Sequence, residues 1–168
     1  MADSFGFRIQ MPLDRSGQSE VAKGGNEGTG GAYSLSGFVA GAHRAGGFIG
    51  PEKGWHADML FSSDTDHRRL PELIDGQEYF ISHNAKKQTS LYLVWTPHTK
   101  GKGTPITPSK GDNILASCEK YSDDEPTYCN HAFEDGEVTV FYRIPIELLS
   151  SIPTFDTVIS ARLKEWRC

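Results

Sequence analysis

The chain has 168 residues and a formal net charge of -5 at pH 7, with 37% hydrophobic residues, 18 glycines and nine prolines. This length fits one domain, residues 1–168, that can bury a hydrophobic core without help from a metal. The acidic balance disfavours binding to nucleic acid or to an anionic membrane surface, and no apolar run reaches the roughly 18 residues of a membrane span. Abundant glycine and proline favour short strands and turns over a helical bundle.

Alternating apolar side chains predict strands in the first half of the chain. The period of two is clear in Phe5–Ile9, Tyr33–Ala40 and Trp55–Phe61. Glycine-rich stretches separate these three segments and lack the Gly-Lys-Ser/Thr ending of a phosphate-binding loop, so we expect plain connections there. The charged segment Ser62–Arg69 is typical of an exposed turn.

Two antiparallel pairs are predicted further along the chain. Glu78–His83 precedes Gln88–Thr96, and the second of these is apolar on both sides, as in a central strand. Thr127–Phe133 and Glu137–Ile144 flank an Asp-Gly step, which tolerates the positive φ of a tight hairpin.

The C-terminal segment predicts an amphipathic helix that begins near Pro153, with Thr154 as a candidate N-cap. One apolar stripe at spacings of three and four contains Phe155, Val158, Ile159, Leu163 and Trp166. The sequence therefore predicts an α+β fold, mainly antiparallel sheet with one C-terminal amphipathic helix packed on it.

The cysteines bear on the compartment of the protein. Cys118 and Cys129 enclose a turn-forming acidic segment, and a disulfide between them would contribute about 2–3 kcal/mol in the chain-entropy model. The alternative is reduced thiols in a cytosolic protein, and we expect Cys168 to be unpaired. Since the residues after Met1 do not form a signal peptide, the chain is either cytoplasmic or the mature form of a periplasmic or secreted protein.

A metal-dependent enzyme is one functional hypothesis. His56, Asp58, Asp64, Asp66 and His67 supply imidazole and carboxylate ligands suited to zinc, manganese or iron. The alternative is an ordinary exposed turn, and because no nucleophile motif is present we expect neither a cofactor nor a catalytic residue.

A carbohydrate-binding module is another hypothesis. It would use Trp55 and Trp95 as stacking platforms. Both tryptophans lie in strand patterns, however, which favours positions in the core.

The acidic segment between the two cysteines favours binding to another protein. Tyr121, Asp123, Asp124, Glu125 and Tyr128 combine aromatic anchors with carboxylates that would attract a basic partner. The alternative is an ordinary solvated surface loop.

The order of features in the C-terminal quarter resembles a known family. It contains a late cysteine pair, a strand ending in YRIPIELL and a short amphipathic helix with Trp166. This order resembles the C-terminal portion of periplasmic immunity proteins of type VI secretion toxins. The resemblance implies a protein that is not an enzyme and that binds a cognate toxin or effector to block its active cleft. It matches no binding motif residue by residue, so the contact residues named above are chosen for their chemistry.

Overall fold

A computed structural model describes residues 4–12, 32–41, 65–84, 90–97, 113–120, 124 and 126–166 of the chain. Within these ranges the strands are β1 (Ser4–Pro12), β2 (Ala32–Gly41), β3 (Thr65–Arg69), β4 (Phe80–Asn84), β5 (Ser90–Thr96), β6 (Asn113–Lys120), β7 (Tyr128–Asp135) and β8 (Val138–Pro145). A 3-10 helix, Ile146–Ser151, leads directly into helix α1 (Ile152–Trp166).

The eight described strands form one antiparallel sheet in the order β1-β2-β8-β7-β6-β5-β4-β3. Strands β3 to β8 follow one another as a meander. The hairpin β1–β2 instead pairs with β8, in a register that sets Gly37 opposite Tyr142. The predicted α+β fold is therefore confirmed, with an antiparallel sheet and a C-terminal helix.

One face of the sheet, called here the helix face, packs against α1. The helix buries Ile152, Phe155, Ile159 and Leu163 in a cluster shared with strand residues on both sides of β8. Burial of this apolar surface supplies most of the stability of the helix. The helix begins at Ile152, before the predicted cap, because Pro153 fits the first turn, where its missing N–H has no partner to lose. Trp166 lies at the margin of the stripe, about half exposed, with its ring against that of Phe5.

The opposite side of the sheet, called here the second face, carries a smaller cluster where β4 and β5 meet. Phe80, Leu93 and Trp95 are buried there, with Ile114 packed against them. Since Val94 belongs to the helix-face cluster, β5 is buried on both sides, as predicted for a central strand.

Two strands differ from the sequence prediction. Residues 65–69, expected to lie in a turn, form β3 at the edge of the described sheet. Among the described strands β3 pairs only with β4, and such an edge position tolerates charged side chains. Strand β6 has no clear alternation and forms between β5 and β7. The predicted hairpin is confirmed, with Gly136 at φ 65, and the predicted strand at 55–61 lies outside the described residues.

Candidate partner-binding surface

The cysteine pair anchors both ends of the acidic segment. Cys118 on β6 lies directly opposite Cys129 on β7, and a disulfide joins them. Both side chains are fully buried on the helix face. The predicted disulfide is confirmed, so strand pairing and a covalent bond together fix β6 and β7, the two strands between which the acidic segment lies in sequence.

The structure describes two of the five predicted contact residues. Asp124 is exposed. Tyr128 begins β7, half-buried, and the Arg143 guanidinium carbon lies 4.6 Å from the centroid of its ring, a cation–π contact. The other three predicted residues, Tyr121, Asp123 and Glu125, lie outside the described residues.

An arginine–aromatic patch continues from Tyr128 across the second face. We define it as Arg8, Phe38, Phe141, Arg143 and Tyr128. The rings of Phe38 and Phe141 stack with centroids 4.7 Å apart, and Phe38 remains 49% exposed. The Nε of Arg8, on β1, donates a hydrogen bond of 3.4 Å to the Ser36 hydroxyl on the neighbouring strand β2.

Sequence reasoning found only part of this patch. Alternation along β8 places Phe141 and Arg143 on one side of the strand. Their neighbours Phe38 and Arg8 are brought alongside by the pairing of β2 with β8, which joins distant parts of the chain. No local pattern in the sequence specifies that pairing.

The hypothetical metal cluster is only partly described. His56, Asp58 and Asp64 lie outside the described residues. Asp66 and His67 are successive residues of β3, so their side chains point to opposite faces. Among the described residues, no three His, Cys, Asp or Glu side chains converge in a way that could hold a metal ion.

His67 instead contacts a buried serine. Its Nδ1 lies 2.7 Å from the Ser82 hydroxyl, which also accepts a hydrogen bond of 2.7 Å from Trp95 Nε1. The hydroxyl proton is therefore free to point at His67. Partial burial lowers the pKa of His67, and the nearby Asp66 carboxylate opposes that shift. Because Ser82 is fully buried, this serine–histidine contact joins β3, β4 and β5 and does not present a nucleophile to solvent.

Trp95 is not available as a sugar-stacking platform. Its side chain is fully buried against Phe80, with ring centroids 5.2 Å apart, and its indole N–H is bonded to Ser82. The core position expected for this residue is confirmed. Trp55 lies outside the described residues.

A polar cluster that the sequence analysis did not identify joins the sheet to helix α1. The Tyr142 hydroxyl donates to Asp156 Oδ1 at 2.7 Å, and His131 Nε2 lies 3.2 Å from Asp156 Oδ2. The other ring nitrogen of His131, Nδ1, lies 2.6 Å from the Leu115 carbonyl oxygen. A carbonyl oxygen and a carboxylate oxygen both accept, so a ring nitrogen donates to its partner only when it carries a proton.

The Asp156 side of this cluster borders the surface. A shallow depression of about 540 Å³ opens beside it on the surface of α1, lined by Phe133, Asp156, Thr157, Ser160, Ala161 and Lys164. The Asp156 side chain is 26% exposed, whereas that of His131 is 6% exposed. The cluster therefore bridges β6, β7, β8 and α1 at the boundary of the core.

Alkaline conditions should weaken the fold through Tyr142. Burial, together with the Asp156 carboxylate, raises the pKa of Tyr142 well above its usual range. Above about pH 10 the unfolded chain loses this proton and the folded chain keeps it, so the free energy of unfolding falls as the pH rises. Urea denaturation at about pH 8 and about pH 11 should show a smaller loss for Tyr142→Phe than for the wild type. Equal losses in the two proteins would contradict this assignment.

None of the helices in the described part of the chain is both long and apolar enough to cross a membrane. No known family model matches the sequence, and no curated protein or solved structure shows significant similarity to it.

Proposed function

We propose that the protein is an immunity-type inhibitor that binds a bacterial toxin or cell-wall enzyme and occludes its active site. The observation that carries the proposal is the buried disulfide at the base of the acidic segment. It joins the two strands between which the exposed Asp124 lies in sequence, and Tyr128, at the start of the second strand, contacts Arg143. Aromatic and arginine side chains are the types that contribute most to protein interfaces.

The physical basis of the proposed inhibition is preorganisation. A segment whose two ends are fixed loses less conformational entropy when it orders against a partner, so more of the contact energy appears as affinity. Its carboxylates and the net charge of -5 would steer the protein toward a basic cleft, such as one that binds an anionic substrate. Steric blockage by a surface segment requires no catalytic residue on this chain.

A periplasmic or extracellular site of action accompanies the proposal. Disulfides form and persist in oxidising compartments and are rare in the cytosol. The Cys118–Cys129 bond joins two buried strand positions, where it is protected from thiols in solution. This location is also where an inhibitor would meet enzymes that attack the cell wall.

The proposal is tested with the products of the genes next to the gene for this chain in its source genome. Each product is expressed in the periplasm of a bacterial host, and the chain is co-expressed with any product that arrests growth. We expect the wild type to restore growth and the purified pair to bind. Asp123→Asn, Asp124→Asn and Glu125→Gln together should weaken binding about 100-fold, since each interfacial charge contact contributes roughly tenfold or less.

A matched control removes the same charge elsewhere. Glu72→Gln, Glu137→Gln and Glu165→Gln together replace three exposed carboxylates outside the acidic segment. This variant should bind within about threefold of the wild-type affinity, because it loses only the weak long-range attraction of three charges outside the interface. Equal losses in both triple variants would show that net charge, and not the acidic segment, governs binding. If no neighbouring product is neutralised or bound, the proposal is wrong.

A further inference from the structure

We propose that the arginine–aromatic patch is a second docking surface, which takes an extended, acidic polypeptide segment with apolar or aromatic side chains. The patch lies on the second face of the sheet, on strands β1, β2, β7 and β8. Its charge is of opposite sign to that of the acidic segment. The two proposed surfaces share the Tyr128–Arg143 contact, and substitution of the carboxylates in the acidic segment distinguishes them.

The shape of the patch suits an apolar side chain. A cross-strand row sets Gly6 opposite Phe38, Phe38 opposite Phe141, and Phe141 opposite Ala132. The stacked rings are therefore flanked by two of the smallest residues. Among the described residues, a Cβ built on Gly6 would meet the Gly37 carbonyl oxygen at 3.7 Å, an ordinary contact distance. Gly6 is exposed, so space remains beside the exposed ring of Phe38.

The charge of the patch suits carboxylates. Arg8 lies two residues beyond Gly6 on β1, and Arg143 lies two residues beyond Phe141 on β8. These two strands run in the same direction, since each pairs antiparallel with β2. Both exposed arginines therefore lie on the same side of the aromatic row, about 10 Å apart across two strand spacings. Within the described ranges, no carboxylate forms an ion pair with either one.

An acidic polypeptide fits these features better than a nucleic acid. The chain carries a net charge of -5, and the exposed Glu134 projects from the same side of β7 as Ala132. A continuous polyphosphate would be repelled by that field, whereas a peptide can place separate carboxylates on the two arginines and an apolar side chain on the exposed ring of Phe38. Guanidinium groups bind carboxylates with paired hydrogen bonds.

The test is an NMR titration of the isotope-labelled protein with defined synthetic probes. The main probe is a ten-residue peptide of alternating Asp and Phe. The comparison probes replace Asp with Asn or Phe with Ser, and an oligothymidylate tests the nucleic-acid alternative. We expect shifted amide signals on β1, β2 and β8, and an affinity for the Asp/Phe peptide about fivefold higher than for either altered peptide.

Variants of the patch locate the binding. Arg143→Ser should weaken Asp/Phe peptide binding about fivefold. Gly6→Thr should abolish it by filling the space beside Phe38, while suiting a strand position that has room for a side chain. Arg162→Ser, at an exposed arginine on α1, should bind like the wild type. The triple variant of the acidic segment should also bind normally, which separates this proposal from the inhibitor function.

Three outcomes would overturn the proposal. The first is the absence of shifts at millimolar peptide. The second is a set of shifts centred away from β1, β2 and β8. The third is tighter binding of the oligothymidylate than of the Asp/Phe peptide, which would assign the surface to single-stranded nucleic acid.

Discussion

Asp156→Ala should lower the free energy of unfolding by about 2–4 kcal/mol, although the residue lies on the partly exposed flank of α1. The substitution removes the partner of His131 Nε2 and the nearer acceptor of the Tyr142 hydroxyl, which keeps only a longer contact of 3.4 Å to the Ile152 carbonyl oxygen. Both of those residues are buried. The cost arises mainly from the hydrogen bonds that these two buried side chains lose. Urea denaturation followed by circular dichroism measures the effect.

Asp156→Asn separates lost hydrogen bonds from lost charge. The amide oxygen can accept from Tyr142, and the amide nitrogen can donate to a neutral His131 that keeps its proton on Nδ1. Both contacts survive, so we expect a loss of less than about 1 kcal/mol. Glu165→Ala, at an exposed ion pair on the same helix, should stay within about 0.5 kcal/mol of the wild type. Equal destabilisation by Asp156→Asn and Asp156→Ala would show that the ionic contact dominates, and wild-type stability of Asp156→Ala would contradict the role of the cluster.

Gly37→Ala should destabilise the protein by about 3 kcal/mol, near the upper end for overpacking of a core. The added Cβ would overlap the Phe141 carbonyl oxygen on β8 and the ring of Phe7, which lies across the glycine on the helix face. A ring can rotate away, but the carbonyl oxygen belongs to the strand pairing between β2 and β8. The central junction of the sheet must therefore open to accept one methyl group.

Gly6→Ala is the matched control for this prediction. Gly6 lies on the adjacent strand with room for a Cβ, so alanine should be neutral or stabilising by about 0.5 kcal/mol. Gly37→Ala combined with Phe7→Leu should recover only part of the lost stability, since the clash with the carbonyl oxygen remains. A Gly37→Ala protein as stable as the Gly6→Ala protein would show that the close approach of β2 to β8 is not required.

Local patterns in the sequence predicted the elements whose causes are local. The Asp-Gly turn between β7 and β8, the apolar stripe of α1 and the two-sided burial of β5 each follow from neighbouring residues. The charged strand β3 and the mixed strand β6 were not predicted, because backbone pairing with neighbouring strands determines their conformation.

The candidate surface also contains features that the local sequence predicts and features that depend on strand order. The cysteine pairing and the position of Tyr128 follow from residues close in sequence. The stack of Phe38 on Phe141 depends on strand order, which no periodicity encodes. Asp156 stands one position after the buried Phe155 of the helical stripe, and its role depends on which strands face the helix.

The pairing of β2 with β8 has a consequence for the time at which the protein can fold. Among the described strands, β2 pairs with β1 and with β8. Its pairing on the β8 side therefore waits until β8, the last of these strands, is available. During synthesis on the ribosome, β8 is the final strand to emerge, and α1 follows it. Contacts between such distant segments form slowly, because a long loop must close first. Completion of the described sheet therefore waits for β8, and until then the inner edge of β2 carries backbone groups that no other described strand pairs.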